Sequence, residues 1–368
     1  LLQRIVAPGH YLREAGMIKK AGSHCRQVGK KAFIIGGKTA LSIVEKDLTG
    51  SLEEKGVETA AVSWYGGECC WENIEALAQQ VKKKGADFII GVGGGKALDT
   101  AKAVAFALGL PVITIPTIAA TCAAWTPLAV VYTLEGMYLE LSSKAQNPAK
   151  VLVDTEVIAQ APIAFLRAGI GDTLAKWFES EISSRNTGGN AAVSAALSLG
   201  NLCYQILLEY GTGACLSGEK GQVSPALEQV VDANIMLSGL VSGLGGDECR
   251  TGAAHSIYNG LTVLENAHRR YHGEIVAYGI LCQLVLDKKE DELVKLLTFY
   301  HKTGLPMTLE ELGIHSLSKE EELAVGKASA EVEDMANMPF TVTAEMVVDA
   351  LYRVDQLGRR YRGGENLV

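Results

Sequence analysis

Residues 88–125, FIIGVGGGKALDTAKAVAFALGLPVITIPTIAATCAAW, restrict this chain more than any other stretch. The apolar run Phe88-Ile89-Ile90 is short and β-rich enough for a buried strand. It leads into Gly91-Val92-Gly93-Gly94-Gly95-Lys96, after which Leu98, Ala101, Ala105 and Leu108 recur on one face of a helix. A strand feeding a glycine-rich turn that opens a helix is an anion site. Without Cβ atoms the turn lets backbone N–H groups approach a phosphate, and the helix dipole favours negative charge there. The helix is expected to end near Gly109 and a second buried strand to start at Val112. That strand runs into Pro116-Thr117-Ile118-Ala119-Ala120-Thr121, small and hydroxyl-bearing residues suited to lining a narrow cleft. The turn matches neither common fingerprint. A P-loop needs glycine where Ile90 stands and Ser or Thr where Ala97 stands, and GxGxxG needs glycine where Lys96 stands. On the motif alone, a tight strand–helix turn without a ligand stays open.

The 368 residues are 48% apolar, and a chain of this length buries roughly three quarters of its surface, here as two domains. A net charge of −8 and a pI near 5.5 argue against nucleic acid or an anionic membrane as partner. No apolar run reaches transmembrane length and the first residues lack a signal-peptide layout, so a cytoplasmic location is expected. Eight cysteines are scattered without a C-x-x-C, which suggests reduced thiols rather than a zinc knuckle or a disulfide scaffold.

Strand candidates at 32–35, 58–64, 88–91, 112–115, 129–133, 138–141 and 151–153 surround helical patterns at 39–49, 71–84 and 96–108. Such alternation predicts a Rossmann-like parallel sheet with helices on both faces, and ligands bind at the carboxyl ends of its strands. The pair 129–133 and 138–141, with Glu135-Gly136 between them, predicts a hairpin added to that sheet. Beyond Asp154 the texture changes to Ala- and Leu-rich helical spacing near 172–184, 189–210, 224–244, 249–265 and 273–287. The expected domains are therefore an α/β dinucleotide-binding domain, 1–160, and an all-α metal- and substrate-binding domain, 161–368. The closing 358–364, GRRYRGG, is expected to be a solvated tail.

Asp172 is expected at the start of a helix, His255 inside a small and apolar one, and His272 in the turn before the next. One carboxylate and two imidazoles from three helices make a divalent site with an open position, where the ion polarises a substrate oxygen. Spacing alone does not require it, since the same residues read equally as a core histidine and a cap.

Five segments in order, 91–102 (GVGGGKALDTAK), 116–132 (PTIAATCAAWTPLAVVY), 171–179 (GDTLAKWFE), 255–263 (HSIYNGLTV) and 272–279 (HGEIVAYG), together resemble the glycerol dehydrogenase branch of the iron-containing (group III) alcohol dehydrogenases. The resemblance implies the fold shared with dehydroquinate synthase, NAD(P), a divalent metal ion and a homo-oligomer. It places the metal on Asp172, His255 and His272, with zinc first and iron, nickel or manganese as alternatives. Lys176 stands where iron-binding relatives carry a third histidine, which favours the zinc-type site. By the same resemblance the cofactor pyrophosphate rests on Gly94, Gly95 and Lys96, with Gly93 and Asp99 beside them. Thr117, Ala120, Thr126, Leu128 and Tyr132 line the nicotinamide half.

Two positions depart from that branch. Cys122 replaces an aspartate that contacts substrate hydroxyls, and Gly37-Lys38 replaces the acidic residue that holds the adenosine ribose. With Arg250, which is expected one and a half helical turns before His255, Cys122 resembles a hydroxycarboxylate dehydrogenase sub-branch. Losing a carboxylate and gaining a guanidinium would suit a 2-hydroxy acid and its 2-oxo acid; an ordinary surface arginine is the other reading. Lys38 is expected to admit NADP(H) at least as well as NAD(H). No Ser/His/Asp or Cys/His set occurs at motif spacing, and hydride transfer to an oxygen-bearing carbon on a metal needs no side-chain nucleophile. The alternatives are a glycerol or 1,2-diol dehydrogenase and an inactive cofactor-binding relic; His268 is a candidate for a proton relay.

Overall fold

The computed structural model describes residues 5–186 and 189–364. They gather into two compact units, Ile5–Pro162 with Ser217–Gly239, and Ile163–Leu216 with Leu240 onward. In the first unit β1 (His10–Glu14), β8 (Lys150–Asp154), β5 (Val112–Pro116), β4 (Phe88–Gly93), β2 (Lys31–Gly36) and β3 (Glu58–Trp64) lie side by side in that order, every neighbouring pair parallel. The inner strands β2, β4, β5 and β8 are near-continuous apolar runs because both faces of a parallel sheet are covered. β1, HYLRE, has no such run and lies at the edge, so apolar patterning does not reveal it. The helices that follow these strands along Ile5–Pro162 are α1 (Ala21–Cys25), α2 (Lys38–Glu54), α3 (Trp71–Lys84), α4 (Gly95–Leu108) and α5 (Thr155–Gln160). Side chains alternate across the sheet: Ile34 packs with Val44 and Leu48 of α2, whereas Phe33 and Ile35 pack with Leu77 of α3 and Val104 of α4.

The hairpin β6 (Ala129–Tyr132) and β7 (Tyr138–Ser142) forms as expected, but as a separate two-stranded antiparallel sheet. It does not join the parallel sheet, whose two edges are taken by β1 and β3.

Among the described residues after Pro162 the elements are helical: α6 (Ile163–Ser183), α7 (Ala191–Glu219), α8 (Pro225–Asp232), α9 (Ser238–Gly245), α10 (Ala253–Leu261), α11 (His272–Leu286), α12 (Glu290–Thr303), α13 (Lys319–Ala330) and α14 (Ala344–Arg362). An expected boundary at 160 leaves the excursion Ser217–Gly239 out of account. Polar contacts hold it to the sheet unit. Arg13 Nε donates to Asp232 Oδ1 at 2.9 Å, Arg13 Nη1 pairs with Glu228 at 2.5 Å and the Tyr11 hydroxyl donates to Asp232 at 2.7 Å. The π-helical turn Ala233–Leu237 adds Asn234, whose amide nitrogen donates to the Ala119 carbonyl at 2.9 Å.

Two further expectations are corrected. Residues 358–364 are not a tail: through Arg362 they are the last turns of α14, where Arg359 pairs with Asp355 and Glu310, and Arg362 with Glu311. α7 is long and apolar enough, by length and composition, to cross a membrane, a test that core helices also pass; Val193, Ala196, Cys203, Leu207 and Ala214 are buried in the protein.

Candidate metal and cofactor sites

α6 and α11 cross at van der Waals contact of their backbones. A Cβ on Gly171 would stand 2.2 Å from the Gly273 carbonyl oxygen, and one on Gly273 would stand 1.8 Å from that of Ala168. The crossing sets the neighbours of these glycines, Asp172 and His272, against each other, with His272 Nε2 3.4 Å from Asp172 Oδ1. Asp172 lies in the middle of α6 rather than at a helix start, because Gly169 and Gly171 continue the helix instead of breaking it. His255, near the start of α10, brings its Nε2 to 3.7 Å from the same oxygen. One donor atom from each of the three residues lies within 4.8 Å of the others.

These separations suit an ion. Ligands about 2.1 Å from zinc at tetrahedral angles stand roughly 3.4 Å apart, and one carboxylate with two imidazoles is a zinc-type donor set that leaves a fourth position open. Burial works against charge on Asp172, yet hydrogen bonding to His255 and His272 outweighs it and holds the carboxyl well below the usual range. Burial likewise disfavours the His255 cation. The Glu179 and Asp172 carboxylates more than offset this and raise the imidazole to about 10. Tyr258 stands edge-on to the His272 ring, centroids 4.3 Å apart. Lys176 is buried one turn beyond Asp172. The side chain of His268 lies outside the described residues.

In the sheet unit β4 ends in Gly93, whose φ of 138° is open only to glycine, and α4 begins at Gly95 with no side chain capping it. The first turn of α4 therefore presents backbone N–H groups of the kind that bind phosphate. Ile118, Ala120 and Thr121 of the loop after β5 line the same small crevice as Gly94 and Gly95. Lys96 Nζ pairs with Glu68 at 2.6 Å and sits 4.7 Å above the Tyr132 ring. Lys38, at the carboxyl end of β2, is exposed and does not point into the sheet; its ammonium lies 4.1 Å over the Trp64 ring.

The loop between β5 and β6 is organised from below by Lys102, which is fully buried. Its ammonium donates to the carbonyls of Ala123, Thr126 and Leu128 at 2.6–2.7 Å and pairs with Asp99 at 2.8 Å. Asp99 Oδ2 accepts the Val130 N–H, so both Asp99 oxygens are engaged within the protein. Asp99 was expected to meet cofactor; its contacts make it a partner of Lys102 that shapes the loop. Thr117 and Thr126 are buried there, and Cys122 is half-buried.

A family model described as iron-containing alcohol dehydrogenase matches residues 8–155. Along nearly its whole length the chain is 41% identical to the glycerol dehydrogenase of Thermotoga maritima, covering 98% of each protein. It belongs to the glycerol dehydrogenase-like branch of the iron-containing alcohol dehydrogenases. The crystal structure of glycerol dehydrogenase from Schizosaccharomyces pombe superposes with a TM-score of 0.89 at 33% identity, covering 99% of this chain and 94% of that one. Hydroxycarboxylate dehydrogenase A of Escherichia coli is 35% identical over 95% of this chain and 97% of its own. As a member of this family the chain is an oxidoreductase of CH–OH groups.

Family membership covers the fold, but the arginine reading needs correction. α10 starts at Ala253 behind a non-helical Gly252, so Arg250 is not on a helical face leading to His255. It ends the short turn Gly246–Cys249 and pairs with Asp247 at 2.5 Å. Glu179 and Lys102 lie inside the family motifs, and the sequence reading assigns neither a role. Each carries a sequence signal: Glu179 is two helical turns past Asp172, and Lys102 is one turn past Asp99 on an apolar helix.

Proposed function

We propose that this chain is an NAD(P)- and metal-dependent dehydrogenase of glycerol or a related 1,2-diol. The convergence of Asp172, His255 and His272 in a member of this branch carries the reading. A divalent ion, zinc by the donor set, would supply Lewis acidity to a substrate oxygen. Asp172, kept ionised, and the two imidazoles would hold it. The uncapped start of α4 would take the cofactor pyrophosphate. Thr117, Ala120, Thr126, Leu128 and Tyr132 would line its nicotinamide half, on a loop whose carbonyls Lys102 fixes. The chemistry is reversible hydride transfer between the carbinol carbon and the nicotinamide ring.

Identity to glycerol dehydrogenases, and the engagement of Arg250 with Asp247, favour a diol over the 2-hydroxy acid expected from the sequence. Cys122, which leaves no carboxylate at its position, keeps the hydroxy acid as a second reading. For the cofactor, Lys38 over Trp64 supports acceptance of a 2′-phosphate. The test is kcat/KM for glycerol, 1,2-propanediol, 2-hydroxybutyrate and 2-oxobutyrate, with NAD(H) and NADP(H), on zinc-loaded protein. Glycerol or the diol is expected to exceed the acids by tenfold or more. Preference for the acids overturns the diol reading, and strict use of NAD(H) overturns that of Lys38.

A further inference from the structure

Glu179 has no solvent exposure and lies two turns along α6 from Asp172. Its Oε1 accepts the N–H groups of Gly252 at 2.8 Å and His255 at 2.9 Å, the cap and third residue of α10. Its Oε2 lies 2.5 Å from His255 Nδ1. Two of these contacts are backbone N–H donations, and an ionised carboxylate, which is acceptor-only, requires the proton of the third to sit on Nδ1. Gln283 completes the set by accepting the Ala254 N–H at 3.1 Å.

We propose that Glu179 is the positioning residue of the metal centre: it docks the first turn of α10 and selects the His255 tautomer that carries its proton on Nδ1. This rests on Asp172, His255 and His272 being the metal ligands. When an ion displaces the ring's other proton, the one held on Nδ1 leaves the lone pair on Nε2, the nitrogen that faces Asp172. Glutamine, almost the same size, cannot do this in either orientation. With its NH2 toward His255 it makes Nδ1 an acceptor and moves the proton to Nε2. With its oxygen there it turns NH2 against the two backbone N–H groups.

The experiment measures zinc affinity of the full chain by chelator competition, for wild type and Glu179→Gln, with circular dichroism as the folding control. It is paired with 15N-histidine NMR of the zinc-loaded wild type. A 10–100-fold weaker zinc affinity in the variant is expected, together with a protonated Nδ1 and a metallated Nε2 at His255 in the wild type. Unchanged affinity in a folded variant overturns the role of Glu179 while leaving the metal centre in place. Should the variant fail to fold, the wild-type spectrum decides, and a protonated Nε2 overturns the proposal. Wild type that binds no zinc overturns both the metal centre and the proposal.

Discussion

Lys102 shows how much one side chain can fix. Its ammonium is wholly buried, with three carbonyl acceptors and one carboxylate. Burial raises the Asp99 carboxyl, against the lowering exerted by Lys102. Lys102→Met keeps most of the apolar stem but leaves Asp99 charged or protonated without its partner, and frees three carbonyls of the loop. Removing one member of a buried ion pair costs about 3–5 kcal/mol. Urea denaturation should show a loss of that order, and the KM for NAD(H) should rise at least fivefold as the loop loosens. Wild-type stability in the variant would mean that the loop holds its own shape. The sequence displayed the charge, but only the fold shows that it points inward to 123–128 rather than to a ligand.

Among the secondary-structure elements, the decisive contact is the α6–α11 crossing. Gly171→Ala would put a methyl 2.2 Å from the Gly273 carbonyl oxygen, a backbone atom that cannot swing aside. The two helices must separate, at about 1–3 kcal/mol for overpacking, and the Asp172–His272 spacing of 3.4 Å must widen. Zinc affinity of a folded Gly171→Ala chain should fall by tenfold or more in chelator competition. Unchanged affinity would show that the crossing does not set the site. In the sequence these glycines look like helix breakers, which is why Asp172 reads as the start of a helix. Their effect reverses once another helix packs against them, because the missing side chain then allows backbone contact.

At the scale of the whole molecule, every metal donor and Glu179 belong to the helical unit, while the glycine turn and the Lys102 loop belong to the sheet unit. Ligand binding stabilises the state that binds it, by about 4 kcal/mol at a thousandfold excess over Kd. Chelation of the zinc-loaded protein should therefore lower hydrogen-exchange protection in α6, α10 and α11 much more than in β2, β4 and β5. An equal loss across both units would mean that the ion stabilises the molecule as a whole.

Apolar runs and glycine positions determined the parallel sheet to within a residue or two at most strand ends, because a strand buried on both faces leaves little choice of residue. The order of five motifs identified the family. Tertiary structure alone decided the rest. β1 is an edge strand that needs no apolar run, and Ser217–Gly239 is held to the sheet unit by Arg13, Asp232 and Asn234, polar contacts with no periodicity. Arg250 and His255 are five residues apart, yet the non-helical Gly252 between them removes the helical relation that this spacing suggests. Short-range pattern is set by local sterics and burial; which side chains meet is set by helix crossings and ion pairs between residues far apart in the chain.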